Sequence, residues 1–235
     1  MHMSRIAVPH TSTAFDAELG EVRALIGRMA ELAAGALDGS VAAMRTMDLG
    51  SAAAIVAADR EIDTLNEQLE TAVVRTIALR APMADDLREL IVAIRLGSQL
   101  ERAGDQAKGM AKRLARLNAD VCQRHGAIVD RMAALGSAML RDANRAFQSR
   151  DMTLAQSVRG RDRELNALFD ELTAAIIGQM TADPKLVTAG SHLLSVAKQI
   201  ERIGDYAAKI ADNVCYMVTG EHFADWRDGP QPVGA

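Results

Sequence analysis

The chain reads as an all-α protein: six helices arranged as two tandem, pseudo-symmetric three-helix bundles. Three observations predict this. The composition is 49% apolar but only 3% aromatic, whereas sheets draw on aromatic and β-branched runs. Apolar residues recur at helical spacing over long stretches, and there are only five prolines in 235 residues. The second half also repeats the first at a nearly fixed offset, which marks an internal duplication.

Met1 to Pro9 is expected to be loose, with Thr11 or Ser12 capping the first helix. That helix carries Glu18, Leu19, Val22, Leu25, Ile26, Met29, Leu32 and Leu37 at helical period and is predicted to reach about Met47. Asp48-Leu49-Gly50-Ser51 is a turn, with Ser51 as the expected cap of a second helix running to about Leu79. Ala81-Pro82 then stops it, since proline lacks an N–H and restricts the residue before it. The third helix opens with Asp85 and Asp86 at the positive end of its dipole. It holds Leu87, Leu90, Ile91, Ile94 and Leu100 and is predicted to end near Asn118. These elements make a first repeat over 10–118.

The second repeat, 119–220, follows the same plan. Met29-Ala30-x-Leu32 aligns with Met132-Ala133-x-Leu135, Leu37 with Leu140, and Asp48 with Asp151. Asp59-Arg60-Glu61-Ile62-Asp63-x-Leu65 aligns with Asp162-Arg163-Glu164-Leu165-Asn166-x-Leu168, all at an offset of 103 residues. The offset falls to 100 further on, as a loop three residues shorter before the last helix would produce. Pro184 is expected in the first turn of that helix, which runs to about Val218 before Gly220 ends it. The Pro- and Gly-containing stretch 221–235 is expected to be a disordered tail.

The two repeats share one chemical motif. Gln99-Leu100-Glu101-Arg102-Ala103-Gly104-Asp105-Gln106-Ala107 returns as Gln199-Ile200-Glu201-Arg202-Ile203-Gly204-Asp205-Tyr206-Ala207. Glu101 and Asp105 stand four apart, so both carboxylates leave one helix face and repel each other. The glycine costs about 1 kcal/mol relative to alanine. A locally unfavourable pattern used twice points to a bound cation. The second helix adds another acidic pair, Asp59 and Asp63, and the fifth helix offers Asp162 and Asn166. The predicted metal ligands are therefore Asp59, Asp63, Glu101 and Asp105, then Asp162, Asn166, Glu201 and Asp205. All-oxygen sets of this kind suit Mg²⁺, Mn²⁺, Ca²⁺ or iron better than structural zinc. The neutral amide of Asn166 predicts weaker binding in the second repeat. A plainer reading makes each motif a solvated face, with Arg102 pairing to Asp105 at i,i+3. Gly104 and Gly204 fit either close helix packing or the cation site.

Other classes are disfavoured. A net charge of −4, without a basic run or aromatic platform, argues against nucleic acid. Cys122 and Cys215 form no C-x-x-C pattern and read as small buried residues of a reducing compartment. The sequence shows no signal peptide and no apolar run of membrane-spanning length, so a cytoplasmic protein is expected. His10, His125 and His192 stand alone and read as incidental, while Met29, Met44, Met110, Met132 and Met139 fall on core positions. No nucleophile elbow, phosphate loop or dinucleotide fingerprint is present. A di-iron or di-manganese carboxylate enzyme is an alternative, but its usual Glu-x-x-His pairs are missing. A purely structural helical scaffold is the other.

The doubled E-R-[AI]-G-D motif on the third and sixth helices resembles the PhoU family, as does the opening His10-Thr11-Ser12-x-x-Phe15-Asp16-x-Glu18-Leu19. The resemblance covers about 10–220. It implies that Glu101, Asp105, Glu201 and Asp205 help bind multinuclear clusters of iron, zinc, manganese, magnesium or related ions, with Asp59, Asp63 and Asp162 as acidic partners. Asn166 departs from the acidic pattern, and Gln106 and Tyr206 stand where many members have histidine. The resemblance further implies a non-catalytic cytoplasmic regulator, often homodimeric, that represses the phosphate-starvation response and phosphate uptake. Its implied partners are a phosphate ABC transporter, through a PstB-type ATPase, and a PhoR-type sensor histidine kinase. Such partners would also bring it to the membrane periphery.

Overall fold

Six long α-helices and two short 3₁₀ turns make up the described residues, 13–221 of the computed structural model, with no strand among them. The expected loose start, the caps at Thr11 and Ser12, His10 and nearly all of the predicted tail lie outside the described residues. Helix α1 spans Thr13–Thr46, α2 Leu49–Arg80 and α3 Asp85–Arg113. In the second half α4 spans Ala119–Ser149, α5 Met152–Ala182 and α6 Val187–Thr219.

The joints show the chemistry that sets them. Asp48, rather than the expected Ser51, caps α2: its carboxylate accepts from the N–H groups of Gly50 and Ser51, and Ser51 Oγ donates to it at 2.6 Å. Those three bonds hold the carboxyl below its usual range, the Ser51 hydroxyl contributing most. Asp151 caps α5 in the same way through Leu154 N. The residues just before these caps, Met47 and Arg150, both adopt left-handed backbone at φ 52 and 54. The duplication thus extends to backbone conformation. Ala81, also left-handed, ends α2 ahead of Pro82. Helix α3 stops at Arg113, earlier than expected, and tightens into a 3₁₀ turn over Leu114–Arg116. Asn118 belongs instead to α4, where its side chain accepts from Val121 N. Pro184 opens a 3₁₀ turn, Pro184–Leu186, and α6 begins only at Val187. Gly220 closes α6 at φ 80, a region glycine enters without strain.

Each half is a three-helix bundle, and the halves pack through α1 on α4 and α3 on α6, leaving α2 and α5 on the outside. Gly136 of α4 sits where these central helices meet, facing Leu37 of α1 and Ile200 of α6. Most of the apolar stripes predicted for α1 and α4 is buried, including Leu19, Val22, Ile26, Met29, Leu37, Met132, Met139 and Leu140, while Leu25, Leu32 and Leu135 are only partly buried against it. Met44, Met110 and both cysteines are buried as expected. On α3 the expectation needs correction. Leu90 and Leu100 are buried, but Leu87 and Ile91 are 37% and 38% exposed, because the buried face runs through Glu89, Val92, Ala93, Leu96 and Gly97.

Glu89 is the most deeply buried acid among the described residues, at 1% exposure. Its Oε1 accepts from Arg23 Nε of α1 at 2.6 Å, and its Oε2 from Arg150 in the α4–α5 turn. One carboxylate therefore ties three segments drawn from both halves. No helix among the described residues is long and apolar enough to cross a membrane.

Candidate metal centre

Glycines on α3 let α2 approach closely. Gly97 and Gly104 are seven residues apart, two turns on one face. A Cβ at Gly97 would stand 2.6 Å from Leu69 Cδ2, and one at Gly104 would stand 2.7 Å from Ile62 Cδ1 and 3.3 Å from Asp59 Oδ1. The second half uses Gly190 against Met180 and Ile176, and Gly204 against Leu165 and Asp162. The motif glycines therefore serve helix packing, and that packing brings the α2 and α5 acids to the motif. The two roles weighed for them from sequence share one geometry.

In the first groove Asp59 is buried, Asp63 and Glu101 are half-buried, and Asp105 is exposed. Burial pushes the Asp63 carboxyl up, and the charges of Asp59, Asp105 and Glu67 add to this against the opposing Lys108. Burial likewise raises Glu101, reinforced by Asp105, Asp63 and Asp59 and opposed by Arg102. All four predicted acids thus share one electrostatic site. In the second groove burial raises Asp162, joined by Asp205 and Glu201, while Arg159 opposes. Asn166 Nδ2 lies 3.4 Å from Asp162 Oδ2.

Sequence reasoning missed the cations. Asp105 pairs with Lys108, not Arg102, which is exposed. Lys108 also reaches Asp59 across the groove. In the second groove Lys198 pairs with Glu201, its Nζ 2.6 Å from Oε2, and Arg159 pairs with Asp212 of α6. Lys108 and Lys198 each lie three residues from a motif acid, a spacing legible in the sequence. His125 was read as incidental but is buried, its Nε2 2.7 Å from Gln179 Oε1, and so helps pack α4 on α5.

The two grooves lie level with each other. Helices α3 and α6 run antiparallel, with Arg88 donating to Met217 O at 3.2 Å, Arg95 Nη1 3.5 Å from Asn213 Oδ1, and Gly109 against Gln199. This register sets the 101–105 and 201–205 segments opposite one another.

The donor set fits a hard cation. Every predicted ligand atom is oxygen, and burial together with neighbouring carboxylates raises Asp63, Glu101 and Asp162. Asp162 Oδ1 and Asn166 Oδ1 are buried without a hydrogen-bond donor, while Glu201 Oε2 is held by Lys198. As placed, no three His, Cys, Asp or Glu side chains among the described residues close to a ligand shell.

A family profile described as the PhoU domain matches residues 26–114 and again 129–214. The chain is 36% identical over 219 residues to a phosphate-specific transport system accessory protein PhoU homolog of Caulobacter vibrioides, covering 93% of this chain and 95% of that one. It is 37% identical over 218 residues to the protein of the same description from Zymomonas mobilis, covering 93% and 92%. Among solved structures, PhoU from Pseudomonas aeruginosa superposes with a TM-score of 0.81 at 28% identity, over 88% of this chain and all of that one. The phosphate transport system regulatory protein PhoU from Streptococcus pneumoniae gives 0.80 at 27%, over 88% and 98%.

Proposed function

The chain belongs to the PhoU family, and from that membership we propose a cytoplasmic, cation-binding adaptor that restrains phosphate uptake and the phosphate-starvation response when phosphate is plentiful. One observation carries the reading. The family match falls on both halves, and in each half the repeated acidic motif meets a second set of oxygen donors across a glycine-packed groove. The relatives' own descriptions, as accessory proteins of a phosphate-specific transport system, supply the physiological direction.

In this reading Asp59, Asp63, Glu101 and Asp105 hold cation in the first groove. Asp162, Asn166, Glu201 and Asp205 hold it in the second. Iron, zinc, manganese and magnesium are the candidates, and an all-oxygen set ranks manganese, magnesium and iron above zinc. The bound ion supplies positive charge that relieves carboxylate repulsion and ties α2 to α3 and α5 to α6. The protein regulates rather than catalyses and works as a homodimer. It links the PstB-type ATPase of a phosphate ABC transporter to a PhoR-type sensor histidine kinase, which brings it to the membrane surface.

The physiological test is alkaline phosphatase activity at high phosphate in a strain lacking this gene. Activity should be high and should fall when the gene is restored; normal repression in the deletion strain overturns the regulator reading. The chemical test is elemental analysis of the purified protein. Glu101→Ala with Glu201→Ala should lower the metal content, and an unchanged content overturns the ligand assignment.

A further inference from the structure

The two grooves are equivalent in sequence plan but not in charge. In the first, Lys108 Nζ lies 2.5 Å from Asp59 Oδ2 and 3.1 Å from Asp105 Oδ1. A single ammonium therefore bridges the α2 acid and the second acid of the α3 motif. The lysine side chain is 26% exposed and that of Asp59 5%, so solvent screens this pair little. The bond to Asp59 is a strong charge-assisted one in that setting, and the bond to the half-exposed Asp105 adds a weaker second hold.

One hundred residues on, the equivalent position is Ala208, which has no charge to offer. Lys198 lies on the other side of the second motif, at the position of Ser98, and its ion pair is with Glu201. The cation that joins α5 to α6 is Arg159, and its ion pair is with Asp212, which is not one of the predicted ligands. Asp162 Oδ1 and Asn166 Oδ1 face the groove without a donor. By carboxylate number alone the first groove, with four acids, outranks the second, with three acids and an amide. The two lysines differ in reach: Lys108 holds two of the first groove's four acids and spans both helices, whereas the half-exposed Lys198 holds one acid of its own helix.

We propose that Lys108 is an internal counter-ion of the first groove. A divalent cation then enters the second groove at lower concentration and must displace the Lys108 ammonium to enter the first. The proposal rests on the cation-binding reading above. It makes the protein a two-stage responder: the second half fills first, and the first half fills only at higher cation activity. This is the opposite of the order that the amide of Asn166 alone predicts.

The test is a Mn²⁺ titration of the full chain, following free Mn²⁺ by its electron paramagnetic resonance signal. The wild-type chain should bind in two phases. Lys108→Met should tighten the weaker phase by about tenfold or more, as expected when an ammonium competing through two hydrogen bonds is removed, and leave the tight phase unchanged. Because that variant strands the buried Asp59, Ala208→Lys provides the converse: it should weaken the tight phase in an otherwise intact groove. Asp162→Asn with Asp205→Asn should abolish the tight phase. Two phases that neither lysine variant moves overturn the proposal and leave cation binding standing. The absence of any bound Mn²⁺ in the wild-type chain and in Lys108→Met overturns both.

Discussion

A Cβ placed on Gly104 would stand 2.7 Å from Ile62 Cδ1, closer than real Cβ atoms come. The glycine of the acidic motif is therefore where α3 touches α2, and the contact sets how near Asp59 lies to the motif carboxylates. Alanine here gains helix propensity and meets only the end of a flexible side chain, so the two effects nearly offset. Valine adds two more carbons to the same contact. Gly104→Val is expected to cost about 2 kcal/mol, read as a lowered urea midpoint at unchanged slope. Gly204→Val, against Leu165 Cδ2, should cost at least as much. A valine variant as stable as the parent would show that the helices separate freely, and the grooves would then not be fixed by packing.

Asn118 makes the equivalent local contribution at the joint between the halves. Its side-chain oxygen accepts from Val121 N at 3.1 Å and satisfies one of the free donors of the first turn of α4. Asn118→Ala should cost about 1 kcal/mol, and the amides of residues 119–122 should exchange faster while those of α1 and α3 keep their rates. Exchange that rises uniformly through the chain would instead mean that the cap acts on global stability alone.

Much of this architecture is legible in the sequence because its causes are local. Pro82 and Gly220 end helices by backbone chemistry that acts on their own residue and its neighbours. The offset between Asp48 and Asp151 predicts two equivalent caps, and the structure adds equivalent left-handed residues at Met47 and Arg150. The choice of Asp48 over Ser51 turned on a register of three residues, where either side chain has the right chemistry. Leu87 and Ile91 were misplaced because periodicity gives the spacing of a stripe but not which neighbour covers it. The same division holds in the grooves. Glu101 and Asp105 share a face by spacing alone, but Asp59 meets Lys108 only because two glycines close the α2–α3 gap, and those two residues are 49 apart in sequence. Glu89 gave no signal at all, since its partners Arg23 and Arg150 come from opposite halves.

The fourfold set in each groove bears on metal-dependent stability. Burial and mutual repulsion raise Asp63, Glu101 and Asp162, so the cation-free fold carries an unfavourable charge term at neutral pH. In the proposed function a bound ion removes it. Chelation at neutral pH should lower the melting temperature, and added Mn²⁺ should restore it in the parent but less in Asp162→Asn. A melting temperature indifferent to chelator and to Mn²⁺ would make the acids solvated charges.

Glu89 supplies the acid limb of the pH profile. Burial alone would raise its carboxyl, but the hydrogen bonds from Arg23 and Arg150, with their charges, outweigh burial and hold it below the ordinary glutamate value. A carboxylate lowered on folding stabilises the fold fully above its unfolded value, and that contribution is lost as pH falls through the folded value. Stability should therefore drop as the solution is acidified below the ordinary glutamate range. Glu89→Ala leaves two arginines that are 34% and 38% exposed and therefore screened by solvent, so the lost charge-assisted hydrogen bonds should cost about 2–3 kcal/mol at neutral pH. The loss should shrink at acid pH, where the parent has itself given up the ion pair. The decisive measurement is the difference in unfolding free energy between parent and Glu89→Ala across the acid range. If it narrows as pH falls, the charge of Glu89 holds the halves together; if it stays constant, the side chain acts only by filling space.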